Sequence, residues 1–207
     1  MDKFQVKLVF DKGGDSVIFE KDGDFKGGFS ADEADFSLTL SAKEKGGKTF
    51  YTADFIPKSD VTLKTFDVIV PKQYSANERI FCNGYQSWTD TKEFFPNEKM
   101  RGVSDWLKVF WPQNQCSVYG DYTWVDYDGV KGHLHSYDYT YTNKNQGSID
   151  FLGSLNERTG YTCFMHRVPE STLIIDKDVA GVDVKAGKKY ELLELVEFTG
   201  GYDEVFD

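Results

Sequence analysis

Apolar and polar residues alternate along most of this chain, and a period of two is the period of a half-buried strand. Phe4, Val6, Leu8 and Phe10 alternate with polar partners, and Phe36, Leu38 and Leu40 do the same. Residues 17–19 follow a Gly13-Gly14-Asp15 turn. Residues 49–56 end at Pro57 and residues 62–70 at Pro71, because proline has no N–H to give a central ladder. Gly46-Gly47 and Asp22-Gly23 read as hairpin turns. A strand closes at Phe81. The pattern resumes at 117–119 and 122–127, passes an Asp128-Gly129 turn, and continues over 131–142, 148–155, 161–168, 173–175 and 190–199. No segment sustains a helical period, although residues 105–110 suit a single turn. About a dozen short strands with frequent turns predict an all-β chain. The expected architecture is a two-layer antiparallel β-sandwich, a supersandwich, with one long aromatic loop. No strand–helix alternation is present, which excludes a doubly wound sheet and a (β/α)8 barrel; the barrel needs about 250 residues.

A chain of 207 residues buries roughly 70% of its unfolded surface, enough for one core without covalent or metal staples. The sandwich is expected over 1–199. Residues 200–207 open as a linker or helix, since Gly200-Gly201 precedes an acidic first turn, Tyr202-Asp-Glu-Val-Phe-Asp207. A domain border and a frayed terminus share this pattern. With 24 basic and 34 acidic residues the formal charge is −10, which repels phosphate backbones and argues against nucleic-acid partners. The first residues alternate at once, so neither a signal peptide nor a membrane anchor is expected. Cys82, Cys116 and Cys163 are odd in number and scattered. That disfavours a disulfide framework or zinc knuckle and suits a reduced, cytoplasmic protein. No cofactor is expected.

The segment that resists a bland reading runs from Asn83 to Trp111. It contains Trp88, Trp106 and Trp111, leaving Trp124 as the one other tryptophan. Loops shed large rings unless the rings meet a ligand or a neighbouring domain. Length beyond about 12–15 residues without regular structure points the same way. Sugars suit such a surface, stacking C–H faces on indole while Asn, Gln and Asp meet their hydroxyls. Two other sets of residues draw notice. His133 and His135 share a strand face, but two ligands do not make a metal site, so no metal is expected. Tyr137, Tyr139 and Tyr141 continue along that face, with Asp138, Thr140 and Thr142 on the other. Such a ladder serves as a sugar platform or, more commonly, as packing against a second sheet. No serine elbow or catalytic-cysteine context is present, and no carboxylate pair stands out by spacing. The glycine pairs lack a following helix, so they make turns rather than phosphate cradles.

Asn83-Gly-Tyr-Gln-Ser-Trp88 resembles the Asn-x-Trp/Tyr-Gln-Ser-Trp motif in the N-terminal β-sandwich domain of bacterial α-galactosidases of glycoside hydrolase family 36. Ser136-Tyr-Asp-Tyr-Thr-Tyr141 is similar to a strand of that domain. Phe151-Leu-Gly-Ser-Leu-Asn-Glu157, followed by Thr159-Gly-Tyr-Thr162, is similar to its next strand-turn-strand. Tyr85 stands where some relatives have tryptophan. The resemblance implies a non-catalytic domain of a retaining enzyme acting on α-galactosides, with both catalytic aspartates in a (β/α)8 barrel outside this sequence. No residue here takes a catalytic role. It also implies that Trp88 closes one side of a galactose pocket in its own or a neighbouring chain, and that Tyr85 and Gln86 orient the loop or add a hydrogen bond. Asn83 and Gly84 would shape the turn through left-handed backbone angles. The implied partners are an α-galactoside oligosaccharide, the catalytic domain and a second copy in a homo-oligomer. A stand-alone carbohydrate-binding module using the tyrosine ladder is the alternative, and a structural interaction protein is a further one.

Overall fold

The computed structural model describes residues 1–84, 90–101, 125, 127–144 and 147–206. Its elements are β1 (Lys3–Lys12), β2 (Asp15–Asp24), β3 (Phe29–Asp32), β4 (Phe36–Lys45), β5 (Lys48–Pro57), β6 (Val61–Pro71), β7 (Arg79–Cys82) and β8 (Lys92–Phe94). They continue with β9 (His133–Tyr137), β10 (Tyr139–Asn143), β11 (Ser148–Ser154), β12 (Thr162–Arg167), β13 (Thr172–Lys177), β14 (Asp183–Val184), β15 (Tyr190–Gly201) and α1 (Tyr202–Phe206). Two antiparallel sheets result. The first runs β2-β1-β6-β13-β12-β9 with β14 beside β6, and the second β3-β4-β5-β15-β11-β10-β7-β8. The all-β sandwich read from the alternation is the fold observed.

The alternation decides which side chains meet between the sheets. Phe4, Val6, Leu8 and Phe10 of β1 are all buried, as are Phe36, Leu38 and Leu40 of β4 and Ala53 and Phe55 of β5. Phe10 meets Phe36 edge-on at 5.6 Å and Phe55 at 5.8 Å, so rings from facing sheets interdigitate across the core. The Gly46-Gly47 turn joins β4 to β5 with φ of 60° and 73°, which matches a type I′ hairpin and its twist. Asp22-Gly23 is not a turn. Both residues lie within β2, opposite Gln5 and Phe4. Gly23 is required there because an added Cβ would stand 2.4 Å from the Phe4 ring.

Two further sequence expectations are corrected. Residues 131–142 are not one strand: Asp138, at φ 65°, breaks them into β9 in the first sheet and β10 in the second. The segment similar to a strand-turn-strand is one, with β11 in one sheet and β12 in the other. The loop after Asn83 is interrupted by β8, which pairs with β7 through Ile80–Phe94, Phe81–Glu93 and Cys82–Lys92. Three residues are too few for alternation to reveal such a strand. The strands expected at 117–119 and 122–127 and the turn at 105–110 lie wholly or mostly outside the described residues; Val125 and Tyr127 are in no strand. Cys82 and Cys163 are buried thiols outside any disulfide, and burial pushes the Cys82 thiol up. No helix among the described residues is long and apolar enough to cross a membrane.

Candidate functional site

The first residue of the sequence motif sits on the corner where the chain changes sheet. Asn83 follows β7, and its backbone N–H donates to Ser136 Oγ at 2.7 Å. Its carbonyl accepts from the Tyr137 N–H at 3.0 Å, and its side-chain Nδ2 donates to the Tyr137 carbonyl at 3.1 Å. Ser136 Oγ in turn donates to the Tyr139 carbonyl at 2.5 Å, across the break at Asp138. A left-handed aspartate is held by backbone bonds on both sides: its N–H donates to Thr162 and its carbonyl accepts from Ser154. Asn83 therefore clamps the junction of the two sheets. It works by hydrogen bonding: among the described non-glycine residues, positive φ occurs at Asp138 and Ser171, not at Asn83. Gly84 N–H donates to Thr91 Oγ1 at 2.9 Å, which closes the base of the segment between them. The motif thus springs from a fixed stem between β7 and β8, the kind of support that positions a binding loop.

The three residues proposed to contact substrate, Tyr85, Gln86 and Trp88, lie outside the described residues, as do Trp106, Trp111 and Trp124. The stem makes its own prediction. Asn83→Ala removes the Nδ2 bond to the carbonyl of the buried Tyr137. Stability should fall by about 1–2 kcal/mol in urea unfolding. An alanine variant as stable as the parent would show that the clamp is idle.

The tyrosine ladder is split. Tyr137 is buried on the outer face of the first sheet, packed with Val125, Cys163 and Met165. Tyr139 and Tyr141 are on the outer face of the second. There the register places Phe81, Tyr141, Phe151 and Phe198 in one cross-strand row. Phe81 stacks on Tyr141 at 4.7 Å and 4°, and on Tyr139 at 5.4 Å and 18°. Tyr139 stacks on Phe151 at 5.8 Å, Phe151 meets Phe198 at 5.1 Å, and the Lys48 ammonium covers Phe198 at 4.4 Å. A sugar needs an open ring face. In this row the faces lie against one another, and the Tyr141 hydroxyl donates to Glu93 at 3.1 Å. The row fastens strands together.

The histidines also separate. His133 sets Nδ1 2.6 Å from Asp128 and Nε2 3.1 Å from Glu170. Burial raises the Asp128 carboxyl, but the Val130 N–H and the His133 contact together outweigh it and hold the group below its usual range. His135 is buried edge-on to Tyr127 and Tyr137. Among the described residues no group of three or more His, Cys, Asp or Glu is placed to hold a metal ion. His166 belongs to the inner face, where its Nδ1 is 3.0 Å from the Tyr74 hydroxyl and its Nε2 2.8 Å from Thr140 Oγ1. Burial, then the charges of Lys72 and Arg167, hold its proton affinity well below the ordinary histidine value, so it is neutral. A neutral ring donates from one nitrogen only. Tyr74 and Thr140 also reach the carbonyls of Thr172 and Phe81, so one of the two must share its proton with the ring.

Sequence reasoning did not single out the polar groups of the inner face: His166, Lys72, Thr140, Thr142 and Lys177. Their signal was present as polar residues at inward positions of otherwise apolar strands. Inward parity in β10 became certain only once the break at Asp138 was known.

No protein-family model matches this chain, and no curated protein matches it. Among solved structures it is similar to the α-galactosidase TtGalA of Thermus thermophilus in complex with stachyose, at 16% identity and a TM-score of 0.45, over 86% of this chain and 31% of that one. The same enzyme in complex with p-nitrophenyl α-D-galactopyranoside gives 16% identity and a TM-score of 0.46, over 86% and 30%. A polysaccharide lyase gives 12% identity and a TM-score of 0.47, over 97% and 26%. The chain therefore spans less than a third of the length of each of these structures.

Proposed function

We propose that this chain is the non-catalytic sandwich domain, residues 1–199, of a cytoplasmic α-galactosidase, leading through residues 200–207 to a catalytic (β/α)8 barrel. The domain docks on the barrel and brings Trp88 to the rim of the galactose pocket, with Tyr85 and Gln86 supporting it. It also supplies homo-oligomer contacts. The observation that carries this reading is the motif Asn83-Gly-Tyr-Gln-Ser-Trp88 rooted on a stem that ties β7 to the sheet junction through Asn83. A rigid stem keeps an indole in register with chemistry carried by another domain. A free-standing sugar module built on the tyrosine row is weaker, because those ring faces are already stacked.

Two measurements test it. The isolated chain should not hydrolyse an aryl α-galactoside, whereas the barrel-containing protein should; turnover by this chain alone would defeat the division of labour. Trp88→Ala in the barrel-containing protein should lower kcat/KM by about 1–3 kcal/mol, roughly 5- to 150-fold. An unchanged kcat/KM would remove Trp88 from the substrate site.

A further inference from the structure

At one end of the sandwich the space between the sheets changes from apolar to polar and holds a cleft of about 450 Å³, within the range of small-ligand sites. Its walls include Val70 and Leu173 from the first sheet and Leu152 from the second, with Thr140, Thr142, Asp150, Glu197, His166 and Lys72 among them. Lys72, Asp150 and Glu197 are each partly exposed, so solvent reaches it at that end. Two of these polar groups have no hydrogen-bond or ion-pair partner among the described residues. Thr142 is 1% exposed, and its hydroxyl makes no hydrogen bond. The Lys72 ammonium makes no hydrogen bond or ion pair with any described residue; it stands 5.8 Å over the Tyr74 ring. An interior hydroxyl without a partner is costly, and burial also lowers the Lys72 proton affinity.

The charges around the cleft are matched. Asp150 takes the Lys144 ammonium at 2.5 Å, and Glu197 takes the Met1 amine at 2.6 Å. Glu78, Asp150 and Glu197 offset Lys72 at longer range. An ion entering here would leave its charge unbalanced. A ligand hydroxyl has no such difficulty: it accepts from the Lys72 ammonium, and it either accepts from or donates to Thr142. Asp150 and Glu197 offer further acceptors, and Val70, Leu152 and Leu173 form an apolar wall for C–H groups. We propose that this inter-sheet cleft binds a neutral polyhydroxylated molecule of monosaccharide size.

None of the described residues that line the cleft belongs to the motif, and the proposal does not depend on the reading given to it. The test is a titration of the labelled chain with D-galactose, D-glucose and myo-inositol, followed by nuclear magnetic resonance, with D-glucuronate as the charged control. At least one neutral probe should bind with a Kd of about 1 mM, as expected of so small a ligand. Shifts should centre on Thr140, Thr142, Asp150 and His166, and the charged control should bind at least about fivefold more weakly. Thr142→Val keeps the shape of a side chain that bonds to nothing, so the fold should hold while affinity falls about fivefold or more. Lys72→Met should weaken binding similarly. The proposal is overturned if no probe saturates by about 50 mM, well above that Kd. It is equally overturned if Thr142→Val binds as the parent does. Shifts confined to residues 85–91 would also overturn it, while leaving the loop reading intact.

Discussion

Replacing Lys177 by methionine is expected to remove about 3–5 kcal/mol of stability. Lys177 ends β13 on the inner face and is 1% exposed. Its ammonium donates to the Asn156 carbonyl at 2.5 Å and to Thr162 Oγ1 at 3.2 Å. Burial lowers its proton affinity, while Glu157, Asp138, Glu191 and Asp178 act to raise it. These carboxylates come together because the sheet change at Asp138 and the β11–β12 crossover meet beside the end of β13. Glu157 Oε2 accepts from the Thr162 N–H at 2.8 Å, and Asn156 Nδ2 donates to Glu191 at 2.5 Å. Asp138 Oδ1 and Glu157 Oε1 are buried with no hydrogen bond, and burial followed by the Glu157 charge pushes the Asp138 carboxyl up. Without the ammonium, the carboxylates repel one another in a poorly solvated space. Urea denaturation at neutral pH would measure the loss. Adding Glu157→Gln to Lys177→Met should recover part of it, because the repulsion is relieved. A methionine variant with the parent's midpoint and slope would show that the cluster is solvated and the cation dispensable.

Asp67→Asn should stabilise the protein at pH 7.5 by up to about 3 kcal/mol and change little near pH 4. Asp67 is on the outer face of β6, in register with Lys7 on one side and Asp176 on the other. Burial pushes its carboxyl up from 3.8 to about 6, with Lys7 opposing the shift. The native state therefore holds this proton more tightly than the unfolded chain does. Its contribution is fully present below about pH 4 and is lost as pH rises through about 6. Asparagine cannot ionise, so the variant escapes that loss. His166 acts in the opposite sense. It is kept neutral in the fold, so the unfolded chain takes up the extra proton as pH falls below 6.5, and stability declines there. The test is the difference between Asp67→Asn and the parent at each pH, in which the His166 contribution cancels. A difference independent of pH would mean that Asp67 ionises normally.

The alternation in β1, β4, β5 and β6 was legible because each buries one side against the opposite sheet, and that burial selects apolar residues at every second position. The Gly46-Gly47 turn was legible because two successive left-handed residues favour glycine. Asp22-Gly23 misled for a related reason. Glycine also serves where a ring needs space, and sequence does not distinguish a left-handed angle from the footprint of Phe4. The motif at Asn83 drew attention through its composition. That its asparagine bonds to Tyr137, 54 positions away, was not readable, because hydrogen-bond partners across a sandwich depend on topology.

What the sequence by itself determined is the class of fold and most of its strands, since period, turn chemistry and the lack of a helical repeat are local properties of the chain. What only the tertiary structure decided is where the chain changes sheet. A strand that leaves one layer for the other keeps the same two-residue rhythm. The break at Asp138 shows only in a backbone angle and in the long-range bonds that hold it. That single event parts Tyr137 from Tyr139 and Tyr141, turns Thr140 and Thr142 inward beside His166, and places the acid of Asp138 near Lys177.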